Sequence, residues 1–124
     1  NQMRYFMSII PPREYLEGKS PPAALQAAIG PYMEKAIQDG SLISTAGLTS
    51  SAEGTYLRAR EGRLAVVDGP FSESKEVIGG YAIMEFPTKA AAIEAATAFV
   101  NLHIENGVPN IDVQVRPIDG GYNF

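Results

Sequence analysis

Residues 80–118 read GYAIMEFPTKAAAIEAATAFVNLHIENGVPNIDVQVRPI, and the fold turns on how they are divided. The first seven, GYAIMEF, are apolar and aromatic enough for a strand. Pro87-Thr88 then opens an alanine-rich helix over 88–106, with Ile93, Ala96, Phe99, Val100 and Ile104 along one face and Gly107 as its stop. In 111–118, Ile111, Val113 and Val115 alternate with Asp112, Gln114 and Arg116, the period-2 pattern of a half-buried strand. The stretch is a β-α-β unit.

Upstream the same order recurs. In residues 3–10, MRYFMSII, Tyr5, Met7 and Ile9 alternate with Arg4, Phe6 and Ser8, and Pro11-Pro12 ends the strand. Ser20-Pro21 has the chemistry of a helix start, with Ser20 as N-cap. An apolar stripe of Leu25, Ala28, Ile29, Tyr32, Met33, Ala36 and Ile37 follows, to a stop at Gly40. Gly30-Pro31 lies inside that stripe, so a kink or a break at Pro31 is expected, at a cost of about 3 kcal/mol for an interior proline. Strand-like runs at 42–49, 55–60 and 63–67 come next, the last two joined through Glu61-Gly62 as a hairpin. Two βαβ units with a hairpin between them predict an α+β ferredoxin-like plait with an added β-hairpin, built as one domain over residues 1–124. Such a plait keeps its helices on one sheet face. The other face, carrying Phe6, is expected to be covered by a second copy in a two-fold homodimer.

Composition narrows the function classes. The chain has 124 residues, an ordinary apolar content and a net charge of −4. An acidic chain without a basic run lacks the electrostatic footprint of a nucleic-acid binder. With no cysteine and a single histidine, His103, thiolate chemistry and cysteine-ligated zinc are excluded. No recognisable metal-ligand spacing, phosphate loop or dinucleotide fingerprint occurs, so no cofactor or metal is expected. Residues 1–10 lack the layout of a signal peptide and no apolar run reaches bilayer length. The expectation is a cytoplasmic protein without a membrane partner.

Residues 68–80, DGPFSESKEVIGG, are the most unusual stretch. Asp68-Gly69-Pro70 is strong turn chemistry, and Gly79-Gly80 fits either a close backbone approach or positive φ. Phe71 stands among polar residues, as a plug for the core or a ligand contact. Glu73, Lys75 and Glu76 are candidates for binding groups or for a salt-bridged cluster. A carboxylate in a dry pocket gains basicity, so Asp68, Glu73 and Glu76 could serve as bases, while Asp68 could equally cap its own turn. Arg116, on the polar side of the last strand, could clamp an anion or pair with a loop carboxylate. Arg58 and Arg60 share a strand face and read as solvated. His103, near the Phe99/Val100/Ile104 stripe, fits a boundary residue better than a catalytic one.

The run VVDGPFSESKEVIGGYAIMEF (66–86) closely resembles the signature of the DGPF proteins, a branch of the YCII-related family. Its lead-in, GLTSSAEGTYLRAREGRLAVVDGPF (47–71), and VQVRPI (113–118) are similar to the same branch. The resemblance implies a dimeric α+β barrel type of fold and extends over nearly the whole chain. It implies no particular reaction, and a link to sigma factors follows from it alone. For the wider family the resemblance implies a catalytic pair made of a histidine on the first helix and an acidic residue nearby. Here the corresponding stretch is PYMEKAIQDG (31–40), with Tyr32 in that place. The expectation is a small-molecule-binding homodimer with a pocket near the DGPF loop, at Asp68, Phe71, Glu73, Lys75, Glu76 and Arg116, with Gly69, Pro70, Gly79 and Gly80 shaping the motif. An enzyme performing proton-transfer or lyase-like chemistry on a small, aromatic substrate is the alternative, and an interaction module working with sigma factors is a third.

Overall fold

The computed structural model describes residues 2–70 and 77–120. Strand β1 (Met3–Ile10) is followed by a short helix α1 (Arg13–Leu16), helix α2 (Ala23–Gln38) and strand β2 (Leu42–Gly47). The hairpin β3 (Thr55–Arg60) and β4 (Arg63–Asp68) comes next, then β5 (Gly80–Phe86), helix α3 (Lys89–Glu105) and β6 (Asp112–Pro117). Strands β2-β5-β1-β6 form an antiparallel four-stranded sheet in that order, while β3 and β4 form a separate two-stranded one. The main sheet has the strand order of a ferredoxin-like plait, and the hairpin is inserted between its second and third strands.

Alternation along the strands sorts the side chains. Tyr5 and Met7 of β1, Ala82 and Met84 of β5, and Val113 and Val115 of β6 face the helices and pack with Ala36, Ala92 and Ala96 into the core. The opposite face carries Arg4, Phe6, Tyr81 and Glu85. Phe6 and Tyr81 stack with ring centroids 5.7 Å apart, and Arg4 Nε donates to Glu85 at 3.1 Å. Helix α3 starts where expected: the Thr88 hydroxyl accepts from Ala91 N–H at 3.1 Å, satisfying an end donor that the helix leaves free. Glu61 and Gly62 both have positive φ, as a two-residue hairpin turn of the primed type requires.

The structure departs from expectation in five places. Pro31 does not interrupt α2, which runs from Ala23 to Gln38 through the proline. Pro31 and Ala27, whose carbonyl loses its partner, are both on the exposed side, where water replaces the missing hydrogen bond. Gly30 also presents no Cβ to the proline ring. The N-cap of α2 is Pro22 rather than Ser20 and makes no side-chain cap; Gln26 instead reaches back to Pro21 O at 2.8 Å. The buried face of α3 lies one residue away from the predicted one. Ala92, Ala96 and His103 are buried, whereas Ile93 and Ile104 are exposed. Small side chains let α3 lie close to the sheet, and burial there follows backbone proximity rather than side-chain size. The helix at Arg13–Leu16 has no counterpart in the sequence reading, and β2 ends at Gly47, two residues early.

Candidate functional site

Between the helices and the inward face of the sheet is an apolar cavity of 480 Å³. Met7, Ile9, Ala82, Met84 and Val113 form its floor, and Leu25, Ile29 and Met33 of α2 form its roof. That volume lies within the range of small-molecule sites, roughly 300–1,000 Å³. Exposed lining residues Lys19, Leu48 and Thr49 mark the mouth.

Glycine shapes this mouth. A Cβ on Gly79 would stand 2.7 Å from Pro11 Cγ and 3.2 Å from Leu16, so glycine lets α1 close against the start of β5. Gly79 N–H donates to Ile9 O at 2.8 Å, and its carbonyl accepts from Leu48 N–H at 2.9 Å. The close-approach reading of Gly79-Gly80 therefore holds, and neither residue has positive φ. Gly69 does similar work at the hairpin base, where a Cβ would collide with the Ser51 carbonyl.

Polar groups are sparse along the walls. Thr45 donates its hydroxyl to Tyr81 O at 2.8 Å. Tyr32 donates to Ala95 O at 2.9 Å, and burial first, then the Asp39 carboxylate, push its phenol above the ordinary value. Asp39 itself, held by the Ser41 hydroxyl and N–H, lies below the usual carboxylate range. Lys19 is the cation at the mouth, 5.6 Å above the Tyr15 ring and 3.9 Å from Glu14. No aspartate or glutamate lines the cavity among the described residues.

His103 is 7% exposed and lines the inner wall. Its Nδ1 lies 2.8 Å from Phe99 O, and a carbonyl only accepts, so Nδ1 carries a proton. Phe99 and His103 meet at 4.5 Å between ring centroids, and Tyr32 closes on Phe99 at 5.8 Å. Behind them Gly107, at φ +93°, turns the chain so that Val108 N–H reaches His103 O at 2.9 Å. Sequence reasoning placed His103 at the helix boundary. The spacing of Ala92, Ala96, Phe99 and His103 at four, three and four residues is the signal for its true position, hidden by the larger isoleucines beside it.

The predicted charged site fares differently from residue to residue. Phe71, Glu73, Lys75 and Glu76 lie outside the described residues. Asp68 accepts from the Thr55 hydroxyl at 3.1 Å, tying the two hairpin strands together. Arg116 is exposed on the helix-free face opposite Phe6 and makes no ion pair among the described residues. Asp68 and Arg116 therefore sit in different sheets, and neither lines the cavity. Arg58 lies over the Tyr56 ring at 5.0 Å. Of the motif, Gly79 and Gly80 line the cavity, and Gly69 packs on Ser51, next to the mouth residue Ser50. Among the described residues no group of three histidines or carboxylates could hold a metal, and no helix is long and apolar enough to cross a membrane.

A ferredoxin-like α+β plait with an inserted hairpin and an apolar cavity beneath its helices is the class these features define. The family model of the YCII-related domain matches residues 3–106, and the chain belongs to that family. No curated protein matches the sequence.

Proposed function

We propose that the protein binds a small, predominantly apolar molecule in the helix–sheet cavity and works as a homodimer. The observation that carries the binding reading is the cavity itself. A void of 480 Å³ bounded by Met7, Leu25, Ile29, Met33 and Met84 leaves a core domain of this size under-packed unless something fills it. Among the described residues its lining has no acidic group, which favours a neutral or anionic occupant over a cation. Calorimetric titration with naphthalene-sized apolar probes tests this. Micromolar binding is expected, weakened at least tenfold by Thr45→Phe, which fills the cavity from the exposed edge strand. Absence of binding by the whole probe series refutes it.

Support for the homodimer comes from two apolar surfaces that no described helix covers. One is the helix-free sheet face with Phe6, Tyr81 and Ile83. The other is the hairpin face formed by Leu57, Ala59, Leu64 and Val66, paired across the strands as Leu57–Val66 and Ala59–Leu64. An isolated two-stranded hairpin is marginal in water, and contiguous exposed apolar surface marks an interaction site. Sedimentation at micromolar concentration should give twice the chain mass; a clean monomer at high concentration rules the dimer out.

A further inference from the structure

We infer that His103 selects the cavity's ligand, and that this ligand is an aromatic-sized apolar molecule carrying a hydrogen-bond donor, of the phenol class. The inference rests on the cavity reading above and adds the chemistry of one end of the ligand.

The argument starts from the imidazole. The Phe99 carbonyl fixes the proton on Nδ1, so in the neutral ring Nε2 is a bare acceptor. His103 makes no second hydrogen bond among the described residues. Yet every fully buried side-chain nitrogen or oxygen among them has a partner. Nε2 is therefore the part of a nearly buried side chain that retains contact with space, and the residue lines the cavity. The other inner polar groups are already committed. Tyr32 gives its proton to Ala95 O, and Thr45 gives its proton to Tyr81 O. An apolar guest without a donor would bury Nε2 unsatisfied, which disfavours it relative to one that supplies O–H or N–H. Phe99 and Tyr32, beside the imidazole, give a planar guest aromatic surface to pack on. Carboxylate guests are a different class: at Nε2 they could only accept, and they would be drawn to Lys19 at the mouth instead.

The chain's single histidine makes the test clean, because ¹⁵N-histidine labelling reports His103 alone. The probes are 2-naphthol and its methyl ether, 2-methoxynaphthalene, which share the apolar body and differ in the donor. At about pH 8, where a free imidazole is neutral, the wild-type protein is expected to bind the naphthol roughly three- to tenfold more tightly than the ether. The Nε2 resonance should move with naphthol and not with the ether. In His103→Asn the side-chain amide can still donate to Phe99 O but offers nothing at the Nε2 position, and the preference should fall to about one. Should that variant fail to fold, the wild-type resonances and the two affinities decide the matter alone. Equal affinities with an unmoved Nε2 overturn the inference and leave the cavity reading intact. Binding of neither probe overturns both.

Discussion

The four-stranded sheet and the inserted hairpin are written in the same alternating code, and they end in opposite environments. In the main sheet the alternation is cashed in within the chain: Tyr5 is 0% exposed, and its neighbours on that face meet α2 and α3. In the hairpin, Leu57, Leu64 and Val66 are 65%, 67% and 61% exposed, although they too share one face and sit opposite one another across the strands. Alternation thus specifies that a face is to be buried but does not name what buries it. Helices α2 and α3 return over the plait because the βαβ connections bring them there. The hairpin has no such connection, and its apolar face stays exposed among the described residues.

The largest effect expected from this contrast is at Tyr5. Tyr5→Ala removes a fully buried ring from the centre of the core and should destabilise the protein by about 3–5 kcal/mol. Leu64→Ala, an equally drastic truncation on the hairpin, should cost no more than about 0.5 kcal/mol in the monomer. Denaturant melts of the two variants at low protein concentration measure the difference. Equal losses would mean that the hairpin is packed within its own chain and would remove the contrast.

Gly79 joins the two regions, since it sits where the chain returns from the hairpin insertion to the plait. Gly79→Ala places a methyl 2.7 Å from Pro11 against a ring that cannot rotate away. A loss of about 1–3 kcal/mol is expected in the same melts, together with weaker binding of apolar probes as α1 is pushed off the mouth. An unaffected variant would show that α1 moves freely and does not define the cavity.

How much of this was legible in the sequence depends on what the signal rests on. Strands β1, β3 and β5 begin and end where alternation and turn residues put them, because those signals are local. The helix start at Pro87-Thr88 and the turn at Glu61-Gly62 were legible for the same reason. Pro31 misled because the cost of an interior proline depends on whether the freed carbonyl faces water, which only the packed structure reveals. On α3, Ala96 was legible, but Ile93 and Ile104 drew attention from Ala92 and His103, since the eye weighs hydrophobicity whereas close packing on a sheet rewards smallness. The site itself was least legible. Its lining is apolar and drawn from many segments, so it has no compact motif, and the charged run at 68–80 attracted the functional reading. Among its described residues, Gly79 and Gly80 contribute to the cavity wall.

The hairpin side of the comparison can be sharpened by removing its apolar face without disturbing its turn. Leu57→Ser with Leu64→Ser leaves Glu61-Gly62 and the Thr55–Asp68 hydrogen bond in place. If a second copy covers this face, the dimer dissociation constant should rise about tenfold, roughly 1.4 kcal/mol, while the chemical stability of the monomer is nearly unchanged. Sedimentation across a concentration series reads the first quantity and denaturant melts the second. An unchanged dimer would confine the interface to the Phe6–Tyr81 face.

The smallest effect belongs to the plait and concerns Tyr32. Its hydroxyl gives a hydrogen bond to Ala95 O, so Tyr32→Phe should cost about 0.5–1.5 kcal/mol near neutral pH. The pH dependence carries more information than the size. Burial, with Asp39 adding to it, raises the Tyr32 phenol above the ordinary 10.0, which means that the fold favours the protonated form. The stability this contributes is fully present below pH 10.0 and is lost as pH rises toward and through the folded-state value, because the unfolded chain releases the proton first. Ionisation would also turn the donor to Ala95 O into a second acceptor facing it. The quantity to measure is the stability difference between wild type and Tyr32→Phe from neutral pH to alkaline pH. That difference should shrink as the solution becomes alkaline. A difference that stays constant would mean that the phenol titrates alike in the folded and unfolded chains, and that the wall between α2 and α3 is as open to water as the hairpin.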